Sequence, residues 1–126
     1  MLGLCLALGG ALVALNTSQA ELHWTHSVQK TAWHEIWRAT PDGLLLTRAA
    51  VQGSGAGMEP GEDAVLKDGF WVWSPKRAPI AELPLTRSEY TGADWSLCVG
   101  GACQPLGRFF PDAPSDATIT LKTCGG

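Results

Sequence analysis

The stretch that decides the fold is LHWTHSVQKTAWHEIW, residues 22–37. Its large apolar side chains recur at every second position on both sides of a polar centre. This is the period of a β-strand whose two faces differ. The stretch therefore predicts a β-hairpin that turns between Lys30 and Thr31, with a loop of two or four residues.

This hairpin places one imidazole and one carboxylate on an apolar face. In the predicted register His26 lies opposite Glu35 and Trp24 lies opposite Trp37, so all four share one side of the ribbon. A buried carboxylate is costly unless it is paired. His26 and Glu35 are therefore either a structural ion pair or a pair that holds a ligand between aromatic walls, and both interpretations stay open at this point.

Outward from the hairpin, alternating or β-branched stretches recur along the chain. They are separated by Pro, Gly and Asp, and no long amphipathic helix pattern occurs after Ala20. The stretches lie at 21–29, 32–39, 43–51, 70–74, 81–87, 94–99, 103–109 and 118–123. We predict an all-β fold, a single small antiparallel β-sandwich or barrel of about eight short strands over residues 21–126.

Composition excludes two classes of partner. The 126 residues carry a formal net charge of −3, with 17% charged and 45% hydrophobic residues. This composition is typical of a folded domain. Because binding to nucleic acid or to an anionic membrane needs a basic surplus, we expect no nucleic-acid partner and no general membrane binding.

The first 20 residues predict the compartment. Leu2–Leu15 is an almost unbroken apolar run, and Ser18-Gln19-Ala20 is a small-x-small pattern before Glu21. We interpret residues 1–20 as an export signal cleaved after Ala20. The alternative is an uncleaved anchor in the inner membrane, which would be the domain's only membrane contact. Both interpretations place the domain in the periplasm.

Cysteine usage agrees with export, since disulfides persist in oxidising compartments. Cys98 and Cys103 flank Gly100-Gly101, which suits a two-residue hairpin turn. Folding about this turn sets the two cysteines opposite each other with Cα atoms about 4.5 Å apart. We predict a Cys98–Cys103 disulfide that acts as a staple, with a bridge from either residue to Cys124 as the alternative. Removal of residues 1–20 would leave three cysteines and one free thiol.

No metal site or catalytic group is expected from the hairpin. His23 and His26 are three positions apart, so on a strand they point to opposite faces. His34 shares the face of His23 but lies about 13 Å away in the predicted register. Ser27 faces His34 without an orienting acid. We therefore expect no metal, no cofactor and no enzymatic activity.

A glycine-rich segment follows the third stretch. Gly53, Gly55 and Gly57 alternate, so the backbone can approach a ligand or another segment closely. It lacks the lysine of a phosphate-binding loop. The segment is either a tight connection around the core or a nest of N–H groups for a carboxylate.

Four short motifs follow one another along the chain. They are Trp24-x-His26-Ser27-Val28, Glu35-x-Trp37, Leu45-x-x-Arg48 and Gly55-Ala56-Gly57-Met58 with a following proline. In this order they resemble an uncharacterised bacterial family called domain of unknown function 1850, over roughly residues 22–123. Its members are typically encoded beside the fused membrane subunit of TAXI-type tripartite ATP-independent periplasmic (TRAP) transporters. The resemblance implies an envelope accessory protein without a known reaction.

The resemblance and the hairpin together give the candidate binding residues, which are Trp24, His26, Ser27, Glu35, Trp37, Gly55, Ala56 and Gly57. We expect an exported, non-enzymatic accessory or binding domain for solute uptake. It would contact a TRAP membrane subunit or solute receptor, or hold a small acidic ligand near the His26–Glu35 pair. The alternative is a small periplasmic carrier of lipid or another ligand, or an envelope enzyme, with a tryptophan-lined cavity.

Overall fold

Two antiparallel β-sheets that pack against each other form the fold. The structure is a computed structural model that describes residues 2–25, 32–52, 63–86, 95–114 and 116–125. One sheet has four strands and the other has seven, and they do not close on each other. The predicted all-β sandwich is thus confirmed, and the barrel alternative is wrong.

The strands follow one another with short connections in the described part of the chain. In chain order they are β1 (Leu2–Leu8), β2 (Ala11–Ala14), β3 (Gln19–Thr25), β4 (Ala32–Thr40), β5 (Gly43–Gln52), β6 (Val65–Lys67), β7 (Phe70–Trp73), β8 (Glu82–Leu85), β9 (Ser96–Val99), β10 (Ala102–Pro105) and β11 (Ile119–Gly125). The smaller sheet has the order β2-β1-β11-β8, and the larger sheet has the order β10-β9-β3-β4-β5-β7-β6. The stretch 103–109, predicted as one strand, divides into β10 and a 3-10 helix (Leu106–Phe109).

The hydrophobic core lies between the two sheets. Fully buried leucines come from both of them, and Trp37 of the larger sheet is 5% exposed. The leucines and isoleucine at 0–1% exposure in this cluster are Leu4, Leu6, Leu22, Leu44, Leu85, Leu97, Leu106, Ile119 and Leu121. Each fully buried leucine contributes roughly 1.5–3 kcal/mol, so this layer fixes which face of every strand points inward.

The hairpin of residues 22–37 forms, but in a register that differs from the predicted one. Trp24 pairs with Trp33, where the prediction paired Trp24 with Trp37. The described pairs run from Gln19↔Arg38 to Thr25↔Ala32, so each residue of β3 faces a partner four positions earlier in the chain than predicted. An even shift keeps every side chain on its predicted face.

The N-terminal apolar run forms strands of the smaller sheet. β1 pairs with β2 on one side and with β11 on the other, and Leu4 and Leu6 are fully buried. The run is therefore explained by core packing. Cleavage after Ala20 stays a prediction, and it would remove both strands from the sandwich. No helix in the described ranges is long and apolar enough to cross a bilayer.

All four cysteines form disulfides. Cys98 and Cys103 pair as predicted, and Cys5 pairs with Cys124. The alternative bridges from Cys98 or Cys103 to Cys124 are wrong, and the expected free thiol is not found because Cys5 is the partner of Cys124. Two disulfides indicate an oxidising environment outside the cytosol.

The two disulfides should differ in their contribution to stability. Cys5 and Cys124 are 119 positions apart, whereas Cys98 and Cys103 are 5 apart. Loop-closure entropy predicts a loss of about 5 kcal/mol for Cys5→Ser/Cys124→Ser and about 2 kcal/mol for Cys98→Ser/Cys103→Ser. Chemical denaturation of both variants measures the difference. Equal losses, or a protein whose peptide map lacks the Cys5–Cys124 pair, would contradict this topology.

A second test of the fold concerns a glycine that lies very close to the backbone of another segment. Gly43 has a φ of 123°, and a Cβ there would collide with the carbonyl oxygen of Ile80. Leu44 and Ile80 exchange two backbone hydrogen bonds at this point. We expect Gly43→Ala to lower the free energy of unfolding by about 2–3 kcal/mol. Gly10→Ala, where nothing lies within 4 Å, is the control and should change it by less than about 0.5 kcal/mol.

Candidate functional site

Four tryptophans lie side by side on the inner face of the larger sheet, at one end. The rings of Trp24 and Trp33 are nearly parallel with centroids 5.6 Å apart. Trp95, which directly precedes β9, lies 4.6 Å from Trp24, and Trp73 meets Trp33 edge-on at 6.3 Å. All four are partly buried. We call Trp95, Trp24, Trp33 and Trp73 the tryptophan row.

Two tryptophans of the row contact the hydrophobic core and two lie outside it. Trp24 and Trp95 pack against the buried cluster, whereas Trp33 and Trp73 are outside it. The indole Nε1 of Trp33 is buried and has no hydrogen-bond partner among the described residues. A buried N–H that stays unpaired costs about 1–3 kcal/mol.

Glu35 lies beside the row on the same face. Its Oε1 accepts a hydrogen bond of 3.1 Å from the Nε1 of Trp37. Burial raises the pKa of Glu35, and the hydrogen bond from Trp37 and the charge of Arg77 offset part of that rise. Leu22 stands opposite Glu35. The predicted cross-strand pairing of His26 with Glu35 is therefore wrong.

The outer face of β3 and β4 carries a cluster of polar side chains. His23 and His34 are direct cross-strand partners whose rings stack at 3.7 Å, where the predicted register kept them about 13 Å apart. The Nε2 of His23 lies 2.8 Å from an oxygen of Glu21. We call Glu21, His23 and His34 the imidazole cluster. The sequence pattern alone does not predict this cluster, because His23 lies opposite His34 only in the observed register of β3 and β4.

Burial and the short distance between the two rings both affect the pKa of His34. Burial lowers the pKa of His34, the neighbouring His23 lowers it further, and Glu21 partly opposes both. Phe70 covers the other side of the His34 ring at 4.9 Å. Because two stacked imidazoles resist carrying charge together, His34 favours its neutral form.

A shallow pocket of about 240 Å³ adjoins the imidazole cluster. Arg48 and Lys67 line it together with His34 and Phe70, so cationic groups lie next to an aromatic ring. Glu21 and Asp68 also line the pocket, so its two carboxylates balance its two cationic side chains. Arg48 and Lys67 are the lining residues that can pair with a small anion.

The remaining predicted site residues lie outside the described residues. His26 and Ser27 follow Thr25, and the segment Gly55-Ala56-Gly57 follows Gln52. Thr25 and Gln52 end β3 and β5 at the same end of the sheet as the tryptophan row. Of the other candidates, Trp24 and Glu35 are partly exposed, whereas Trp37 belongs to the core.

The environment of Glu35 predicts a pH-dependent stability. A raised carboxyl pKa means that the folded state holds this proton more tightly than the unfolded state does. The free energy of unfolding therefore falls as the pH rises from the ordinary carboxyl range through the raised value. Glu35→Gln keeps an acceptor for the Nε1 of Trp37 and removes the charge. We expect the variant to equal the wild type at low pH and to exceed it in stability at neutral pH.

Thermal unfolding over a pH series measures this effect. Glu82→Gln is the control, since Glu82 is exposed on β8 and its removal should leave the shape of the profile unchanged. If Glu35→Gln instead lost about 1–3 kcal/mol at neutral pH, the ionised Glu35 would have a stabilising charged partner in the fold, for which Arg77 is the described candidate.

Comparison with known proteins gives one match. No curated protein and no solved structure matches the chain. The family described as Domain of unknown function (DUF1850) matches residues 20–106. The match runs from β3 to β10 and so includes both the tryptophan row and the imidazole cluster. It covers more than half of the chain and confirms the resemblance drawn from the motifs: this protein belongs to the domain of unknown function 1850 family.

Proposed function

We propose that this protein is an exported, non-enzymatic binding domain that assists a TAXI-type TRAP system in solute uptake. It docks a protein partner on the tryptophan row. The observation that carries the proposal is the row itself, four partly buried indoles in mutual contact at one end of the sandwich.

The row has the composition of a binding hot spot. Tryptophan is the residue type most enriched where a few side chains supply most of the binding energy. Each indole can bury about 150–250 Å². The Nε1 of Trp95 already donates to the carbonyl oxygen of Thr86 at 3.2 Å, and the Nε1 of Trp33 is buried. The row would therefore bind a partner through the apolar area of its rings.

The compartment and the family support the choice of partner. Two disulfides agree with an oxidising, exported location. The motifs resemble a family whose members are typically encoded beside TRAP transporters. We therefore propose a membrane subunit or the solute receptor as the partner.

A carrier of an apolar ligand is the second candidate. Trp37 is 5% exposed and fills the core, so it does not line a cavity for such a ligand. A groove of about 500 Å³ does run along the smaller sheet, lined by apolar side chains that include Leu2 and Leu12. Its volume is in the range of small-molecule sites.

A small acidic ligand fits the outer pocket better than the tryptophan row. Beside the row, the ionised form of Glu35 would repel such a ligand. In the outer pocket, Arg48 and Lys67 would pair with its acidic group, beside the carboxylates of Glu21 and Asp68. The ligand predicted near the His26–Glu35 pair is therefore proposed at this different position.

Affinity capture from membranes and periplasmic extract tests the function. The bait is the full chain, because a bait that begins at Glu21 would lack β1, β2 and the Cys5–Cys124 disulfide. We expect a transporter subunit or solute receptor in the eluate. Trp33→Ala should reduce its recovery at least about tenfold, since hot-spot truncations commonly exceed 1.4 kcal/mol.

The matched control is Phe70→Ala, which removes a partly buried ring from the opposite face of the sheet. It should leave recovery unchanged when both variants are normalised to folded protein. Equal recovery by wild type and Trp33→Ala would contradict docking on the row. A co-purifying lipid without any protein would favour the carrier.

A further inference from the structure

The Cys98–Cys103 disulfide lies against the imidazole cluster. Cys98 is the cross-strand neighbour of Glu21 on one side and of Cys103 on the other, so these residues form a line across β3, β9 and β10. The Nδ1 of His23 is 3.7 Å from the Sγ of Cys98. One ring nitrogen of His23 and both sulfur atoms lie within 4.8 Å of one another.

These distances suit one tetrahedral metal ion. Zinc binds thiolate sulfur at about 2.3 Å and imidazole nitrogen at about 2.0 Å, which separates a nitrogen ligand from a sulfur ligand by about 3.5 Å. The His23–Cys98 contact already has this separation. Two sulfur ligands would stand about 3.8 Å apart, which the cysteines reach by side-chain rotation once their covalent bond is open.

Glu21 prepares His23 for such a role. Its carboxylate lies 2.8 Å from Nε2, which in the neutral ring places the proton on that nitrogen and leaves the lone pair of Nδ1 for a ligand. The sulfur of Cys98 lies 3.7 Å from Nδ1 and 3.9 Å from Nε2. Metal-binding histidines usually donate their second N–H to a carboxylate in this way. The arrangement therefore includes the outer partner of a metal site as well as its ligands.

We propose that reduction of the Cys98–Cys103 disulfide creates a binding site for a thiophilic divalent cation of the zinc class, with His23, Cys98 and Cys103 as ligands. A dithiol supplies the two electrons and two protons and leaves as a disulfide, while Cys98 and Cys103 become thiols. The cation then displaces both thiol protons. Cys103 is exposed, so the fourth position faces solvent and takes water.

Accessibility favours opening of this disulfide before the other. Cys103 is exposed, whereas Cys5 is 1% exposed within the smaller sheet. An exposed disulfide is the more readily reduced one. Among the described residues, His23, Cys98 and Cys103 are also the only group of this kind, so the Cys5–Cys124 pair provides an internal comparison.

Titration with Co²⁺, followed by displacement with Zn²⁺, tests the site on the full chain. Mild treatment with a dithiol opens Cys98–Cys103, alkylation of a parallel sample followed by mass analysis verifies which bond has opened, and the dithiol is removed before the titration. We expect one Co²⁺ per reduced chain with a thiolate-to-metal absorption band. Binding to the oxidised chain should be at least about 100-fold weaker, because a disulfide offers no thiolate ligand.

Matched variants separate the ligands from their surroundings. His23→Gln and Cys98→Ser/Cys103→Ser should each abolish the thiolate band or weaken binding at least about 100-fold. Glu21→Gln should weaken binding about 10–100-fold, as loss of an outer-shell carboxylate does. His34→Gln is the control, since His34 stacks on His23 without belonging to the ligand group, and should leave affinity within about threefold.

If reduction loosens the fold, thermal unfolding provides a second measurement of metal binding. Zn²⁺ should raise the unfolding temperature of the reduced wild type, or restore its folded state, and should do neither for the oxidised chain or for His23→Gln. The proposal is overturned if the reduced chain binds no Co²⁺, if His23→Gln binds as tightly as the wild type, or if Cys98→Ser/Cys103→Ser keeps the thiolate band.

Discussion

The pairing of β3 with β4 is the interaction on which the rest of the structure depends. Its register sets Trp24 opposite Trp33 and, one position along, His23 opposite His34. Because side chains alternate on a strand, the two indoles point inward and the two imidazoles point outward. One register therefore builds the tryptophan row on one face and the imidazole cluster on the other. A slip by one residue would exchange the faces, and the buried leucines of the core oppose such a slip.

The sequence predicts on which face of the hairpin each side chain lies, but it does not predict which residues pair across the two strands. Alternation along residues 22–37, with a loop of either even length, assigns Trp24 and Glu35 to one face. The choice of cross-strand partners depends on where pairing stops, and no residue in the stretch marks that point as strongly as Gly100-Gly101 marks the other hairpin. The Cys98–Cys103 pair was predictable for this reason. The His23–His34 contact was not.

The N-terminal run shows a different limit of prediction. A short, almost wholly apolar segment has the same composition whether it is an export signal or the central strand of a sheet. The difference arises from β11, which supplies its backbone partners and its disulfide partner Cys124 from the other end of the chain. A contact so distant in sequence leaves no local pattern in the run itself. Leu4 and Leu6 are recognisable as core residues only once that partner is in place.

The two proposed sites share strands but use separate chemistry. On β9, Leu97 points into the core while its neighbour Cys98 points to the imidazole cluster, so successive residues serve opposite faces. A cation bound by His23 and the two cysteines would tie β10 and β9 to β3, which is the strand that carries Trp24. Opening the disulfide without metal would loosen the same connection at the exposed edge of the sheet. A change in the redox state of Cys98–Cys103 would therefore act on the rigidity of the strands that position the surface of the tryptophan row. Preorganisation of that surface, rather than its composition, is what such a change would affect.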